Sequence, residues 1–267
     1  MSDATLFAVD FVPTEDVDGL NSARLSDFMG GDLAHARAAW ASTKFEDIAG
    51  RIDRIPDLLI NKLARQVPPH TSPFEHSSLT FRITCDQPTC VHFIKHRTFK
   101  INSQSARYSQ FKDDRALIPN DWSKEEQARF AAEVADAFDA YHARLARLET
   151  HYRTVLGMST ADARRRAKES ARFGLPLAHQ YTIIVTTDFL NFVHFLQLRL
   201  HPMAQKEIRA IARSMLAQVE ALEGSPFLHS LAAYGYHPED YAFPANTTGM
   251  VPNLLTTRPH DPMDALE

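Results

Sequence analysis

The sequence predicts an α+β fold, a helix-rich mixed α/β single domain over 1–267, from three observations. Apolar residues recur at helical spacing through 123–156 and 204–222. Two shorter stretches, 77–85 and 180–187, alternate or are β-branched, as strands are. No internal repeat, and no linker long enough to separate domains, interrupts the chain.

Residues 5–11, LFAVDFV, suit a short strand. Short helices are expected over DLAHARAAWAS (32–42) and the apolar-rich 45–65, ending before Pro68-Pro69, since proline removes a helical donor. Leu79, Phe81, Ile83 and Cys85 alternate with Thr80, Arg82 and Thr84, which predicts a strand with one buried face. Pro88 suits the first turn of the next helix, which carries Val91, Phe93 and Ile94 and delivers Lys95, His96 and Arg97 at its end. Ser123 and Glu126 have capping-box spacing and open one long helix through Phe130, Val134, Phe138, Tyr141, Leu145, Leu148 and Tyr152, closed by Gly157. Ser159 or Thr160 can cap a very basic helix that follows. QYTIIVTT reads as a strand, Asp188 as the cap of a helix through Leu198, and 240–267 as a loose tail rich in Pro, Asn and Thr.

Composition narrows the function. With 29 Lys+Arg against 33 Asp+Glu the net charge is -4, so no whole-protein positive field draws in nucleic acid or an anionic membrane. No apolar run approaches the roughly 18 to 20 residues of a membrane span, and the first residues carry acids where a secretory signal carries cations. A cytoplasmic protein is expected. Two cysteines, Cys85 and Cys90, make neither a zinc framework nor a secreted disulfide pattern and are expected as buried thiols. His92 and His96 share one helix face, but HFIKH lacks the glutamate of a zinc hydrolase and no third ligand is evident, so no metal is expected. The run Arg164-Arg165-Arg166 reads as a solvated helix face or as a contact between subunits.

Residues 95–109, KHRTFKINSQSARYS, place Lys95, His96, Arg97, Lys100 and Arg107 with Ser103, Ser105, Tyr108 and Ser109 and no acid. That composition suits either a solvated basic loop or an anion site, because cations, hydroxyls and loop N–H groups all favour phosphate. The order of the residues resembles the signature of the flavin-dependent thymidylate synthase family: Arg-His-Arg, seven residues, Ser. Here it stands as Lys95-His96-Arg97 with Ser105 in place, followed by Arg107. HTSPFEH (70–76) is similar to the family's flavin-contacting motif, and FLQLRLHPMAQKEI (195–208) resembles its C-terminal one. Arg172 before Leu175-Pro176 and Ser42 after RAAWA also fit, so the resemblance covers about 30–222.

The resemblance implies an FAD enzyme that methylates C5 of dUMP, giving dTMP, with methylenetetrahydrofolate as carbon donor and NADPH as reductant. It also implies a homotetramer whose active sites draw on more than one chain. By that resemblance Ser42, His70, Ser72, Glu75, Lys95, His96, Arg97 and His194 match cofactor-side positions. His92, Lys95, Ser103, Gln104, Ser105, Arg107, Arg172 and Arg199 match nucleotide-side ones. Arg199 is the expected catalytic group, since a guanidinium against the uracil edge stays cationic and stabilises charge building on N3 and the carbonyl oxygens. Ser105 could be taken for a nucleophile but has no adjacent base beyond His96, so it is assigned to binding. Several positions depart from the family pattern. Lys95 stands for Arg, Ser103 for Glu and His92 for Gln, Leu190 falls where an Asn-x-Arg pair would bind flavin, and Met203 replaces a frequent His. Two alternatives therefore stand beside dUMP methylation: a member acting on a related nucleotide such as UMP, and a non-catalytic nucleotide-binding homologue.

Overall fold

The computed structural model describes residues 21–41, 49–105 and 114–255. The expected strand at 5–11 lies outside these residues. Four strands, β1 (Ser22–Met29), β2 (Ser78–Asp86), β3 (Lys100–Ser103) and β4 (Gln180–Thr187), form one antiparallel sheet in the order β1-β2-β4-β3. Each side chain on a strand faces opposite to its neighbours, so one register sorts the whole sheet. Phe81 pairs with Val185 and Ile83 with Ile183, and all four are buried. Flanking the Arg82–Ile184 pair, hydroxyls join across the strands, Thr80 to Thr186 at 2.9 Å and Thr84 to Thr182 at 3.2 Å.

Helices cover the apolar face. α1 (Asp32–Ala41) is followed by a tight turn at Ala49–Arg54, then by α2 (Ile55–Asp57), which widens into a π-type stretch at Leu58–Ala64. α3 (Gln87–Ile94) starts as expected, with Pro88 in its first turn and Asp86 accepting from Thr89 N at 2.9 Å. Asp188 caps α6 (Phe189–Arg199) by accepting from Asn191 N at 2.8 Å. α6 sets Phe192 against Phe81, with ring centres 5.7 Å apart and nearly parallel. α7 (Lys206–Glu220) buries Ile208, Ile211, Ala212, Met215 and Val219.

Two strands were not expected, β1 and β3. β1 contains a bulge between Leu25 and Asp27 that breaks its alternation. Gln218 of α7 satisfies the backbone beside it, accepting from Leu25 N at 2.7 Å and donating to Ala23 O at 3.0 Å. A short α8 (Leu228–Ala233) was also unexpected. Residues 240–255, expected to belong to a loose tail, form no helix or strand but are tied down. Gln197 donates to Pro252 O and accepts from Leu254 N, both at 2.9 Å, while Tyr241 and Phe243 pack on the core. Those two aromatic rings supply the apolar surface that an otherwise polar composition concealed.

α4 (Lys124–Thr154) and α5 (Thr160–Ala171) form an antiparallel hairpin. Only half of the expected capping box is made: Ser123 accepts from Glu126 N at 3.2 Å, while the Glu126 carboxylate meets Arg129. Gly157, at φ 64°, lets the chain reverse so that Met158 N reaches Tyr152 O at 3.1 Å. Arg164, Arg165 and Arg166 pair with Glu149, Asp162 and Glu169 at 2.9, 2.9 and 3.1 Å, which makes the basic run a solvated, neutralised face. Among the described residues no helix is long and apolar enough to cross a membrane.

Candidate active site

Four of the eight expected nucleotide-side residues, Ser103, Gln104, Ser105 and Arg172, meet in one place. β3 runs back along β4 and ends at Ser103, and Gln104 N then donates to Thr182 O at 3.0 Å, which fixes the path of Gln104 and Ser105. From the opposite wall, α5 ends in a tight turn at Arg172–Gly174 whose Leu175 N returns to Arg172 O. Ser103, Gln104, Ser105 and Arg172 thus line a cavity of about 620 Å³. Arg172 is exposed, so its charge stands free to meet an anion entering the mouth.

The same cavity has walls that the sequence reading did not single out: Gln87, Phe173, Leu177, His179 and Tyr181 among them. The His179 ring lies nearly parallel to Tyr181 with centres 5.7 Å apart. Burial holds His179 down at about 4 and pushes the Tyr181 phenol up, so both rings are neutral near pH 7. A cationic mouth with flat, uncharged walls can take a phosphate at one end and a planar or sugar-like body along the other.

Arg199 is elsewhere. It ends α6, half buried, and its Nε donates to His96 Nε2 at 3.1 Å. The His96 ring stacks on Phe99, centres 5.2 Å apart, and meets the edge of Phe195 at 5.1 Å. Burial, followed by the charges of Arg199, His194 and His92, holds His96 down at about 4. His92 is lowered for the same reasons, first burial and then Arg199 and Lys95. The His92 Nδ1 atom is buried with no hydrogen-bond partner among the described residues.

The remaining cofactor-side residues ride on the turn before β2 and on α6. Phe74 is buried against His35 and Phe189, which pins the turn Ser72–Glu75 and leaves Ser72 and Glu75 exposed. His70 and Arg97 are also exposed, and His194 is half-buried on α6. Leu190, where the family pattern has a flavin contact, packs against the core, and Met203 is 87 % exposed. Ser42 and Arg107 lie outside the described residues. Among the described residues the expected site is therefore divided in one chain: Ser103, Gln104, Ser105 and Arg172 line the cavity, Arg199, His96, His92, Lys95 and His194 form a second group, and His70, Ser72, Glu75 and Arg97 are exposed outside both. Cys85 and Cys90 are buried free thiols, as expected. Among the described residues no three His, Cys, Asp or Glu side chains gather as a metal site would require.

Comparison with known proteins agrees with the motifs. The profile of the Thy1 family, described as thymidylate synthase complementing protein, matches residues 24–223. This chain belongs to that family, as a divergent member. It is 34% identical over 161 residues to a flavin-dependent thymidylate synthase of Mycobacterium tuberculosis, covering 59% of this chain and 64% of that protein. A flavin-dependent thymidylate synthase of Clostridium tetani is 30% identical over 164 residues, covering 60% of this chain and 66% of that one. The chain thus matches just under two thirds of the length of these curated relatives. Its fold is similar to that of PolB from Streptomyces cacaoi, a UMP/dUMP methylase solved with 5-Br UMP, at TM-score 0.57 and 24% identity over 81% of this chain and 96% of that one.

Proposed function

We propose that this protein is an FAD-dependent enzyme that methylates C5 of dUMP, with methylenetetrahydrofolate as carbon donor and NADPH as reductant. The observation that carries this reading is the convergence of Ser103, Gln104, Ser105 and Arg172 on one cavity of about 620 Å³. Those are residues the family motifs assign to the nucleotide, and they come from separate regions of the chain. In the reaction Arg172 and Ser105 hold the phosphate, and Arg199 stabilises negative charge building on the uracil edge. Burial lowers the Arg199 pKa, and an arginine guanidinium stays charged at any working pH.

The end of α3 suits FAD by its donor set: Lys95 and Arg97 are exposed cations there, and the buried His92 Nδ1 awaits a partner. His70, Ser72, Glu75 and His194 would complete the flavin side, together with Ser42. Bound FAD would supply the hydride that takes the transferred one-carbon unit to a methyl group. Because cavity and Arg199 cluster are distinct within one chain, a homotetramer with shared sites is the assembly that fits.

A second reading, methylation of UMP, is favoured by one observation. Ser103 lines the cavity where the family pattern has a carboxylate, and a small hydroxyl leaves room and a partner for a ribose 2'-hydroxyl. The Streptomyces protein of similar fold is named for both nucleotides. Purified protein should be yellow or take up FAD, bleach with anaerobic NADPH, and regain colour when methylenetetrahydrofolate and dUMP or UMP are added. Recovery with only one nucleotide names the sugar; failure with both would overturn the proposal.

A further inference from the structure

By the family resemblance His96 matches a cofactor-side position, yet it is only 9% exposed, and the one hydrogen bond on its Nε2 comes from Arg199. An arginine Nε–H can only donate, so His96 Nε2 must present its lone pair and the ring proton sits on Nδ1. The ring has little freedom to choose otherwise. Phe99 lies against one of its faces and Phe195 presents an edge, and Phe99 N donates to His96 O at 2.9 Å, which pins the backbone as well. At the other end, Arg199 is the last residue of α6, where a long side chain would otherwise sample many rotamers. Among the described residues its terminal guanidinium nitrogens make no other hydrogen bond or ion pair.

We infer that His96 is a positioning residue for Arg199: an aromatic clamp fixes its imidazole, and its Nε2 lone pair anchors Arg199 Nε, leaving both terminal nitrogens aimed at the bound pyrimidine. The inference rests on the methylation reading for its consequence, though not for the bond itself. An acceptor in this place must be neutral, because a protonated imidazole would have no lone pair and would set two cations 3.1 Å apart. The surroundings keep it neutral. Arg199 and His194 on α6 and His92 on α3 all face it with positive or potentially positive charge, Lys95 stands beside His92, and the two acids nearby, Asp86 and Glu207, act on His92 rather than on His96. A carboxylate in place of His96 would anchor Arg199 more tightly but would neutralise the charge needed at the substrate. A neutral ring aligns the guanidinium and leaves its charge unspent.

Two substitutions separate positioning from packing. His96→Phe keeps the ring between Phe99 and Phe195 but removes the acceptor, whereas His96→Gln returns a carbonyl oxygen near the Nε2 position. With saturating flavin and nucleotide, His96→Phe should lower kcat by about tenfold to a hundredfold, the scale of a misplaced catalytic group, and His96→Gln should recover most of it. FAD affinity should change little in either. Equal losses in both variants, or a loss confined to FAD affinity, would overturn the inference and return His96 to the flavin. A readout free of activity is the ¹⁵N spectrum of histidine-labelled protein. Here His96 should appear as the neutral Nδ1–H form near pH 7, and its Nε2 resonance should move in Arg199→Ala. An Nε2–H tautomer would overturn the inference whatever the turnover. The expected tautomer in a protein that methylates neither nucleotide would support the Arg199 anchor and overturn the functional reading alone.

Discussion

Replacing His35 by Gln should make the protein less stable near neutral pH and, at the same time, less sensitive to acid. His35 is fully buried between two hydroxyls, with Nδ1 2.8 Å from Ser230 Oγ and Nε2 2.9 Å from Ser77 Oγ. Ser230 Oγ donates to Asp32 Oδ1 at 2.5 Å, so it must accept from His35 Nδ1–H, and Ser77 then donates to Nε2. The chain of donors is complete only with a neutral ring. Burial, aided by the nearby His76, holds His35 down at about 3, against 6.5 for the free side chain. A depressed histidine contributes stability that is whole above pH 6.5 and is lost as pH falls toward 3, because the unfolded chain takes up a proton that the folded one refuses. At about pH 5 that loss amounts to about 2 kcal/mol. His35→Gln should therefore lose about 1–3 kcal/mol at about pH 8, from broken buried hydrogen bonds, while the gap to wild type narrows by about 2 kcal/mol at about pH 5. Asp32, raised by burial, and His96 and His179, both held at about 4, are present in both proteins, so the difference cancels them. Urea unfolding of both proteins at one concentration across this range measures the gap. A gap that does not change with pH would refute the assigned network.

Three further outcomes are expected. Gly31→Ala should cost about 3 kcal/mol or more, since Gly31 sits at φ 122° and an added Cβ would lie 2.4 Å from Pro226 O, the acceptor of Asp32 N; an unchanged urea midpoint would refute this. Arg172→Ala should weaken dUMP binding about 10- to 100-fold, the worth of a charge-assisted contact, and leave deoxyuridine binding untouched; calorimetric titration of both ligands checks it, and equal weakening of both would remove Arg172 from the phosphate. Arg199→Ala should abolish turnover with flavin colour retained, and measurable turnover at saturating nucleotide would refute its role.

Local chemistry was legible where one short segment contains its own reason. Ser123, Asp188 and, of the two residues Ser159 and Thr160, Ser159 cap helices because each needs only a side-chain oxygen and an N–H three residues on; Asp86 caps α3 in the same way, where the sequence reading named only Pro88. β4 was legible because its β-branched run is long and uninterrupted, whereas β1 hid behind its bulge and β3 behind four residues that read as a basic loop. The motif at 95–105 was legible as one run of cations and hydroxyls, but the fold divides it. Lys95, His96 and Arg97 stay at the end of α3 with Arg199, while β3 carries Ser103–Ser105 off along β4 to the cavity with Arg172.

The cavity's other walls were not legible for a different reason. Gln87, His179 and Tyr181 meet because β2 and β4 pair antiparallel, with Cys85 opposite Tyr181 and Asp86 opposite Gln180, after which Gln87 N donates to Leu177 O at 3.1 Å. No spacing along the chain encodes a meeting of residues about ninety positions apart. The ingredients were nevertheless present: two strands of similar length, each followed at once by an Asp-capped helix, 86 and 188. Pairing them antiparallel puts the end of one beside the start of the other, and so brings the α3 N-terminus to 177–181. The family motifs mark residues along the chain, whereas the neutral rings at 179 and 181 and the amide at 87 are brought together by this pairing. They form the uncharged wall of the cavity, which Ser103 also lines, so under the proposed methylation the choice between a deoxyribose and a ribose would fall to contacts that only the folded sheet brings together.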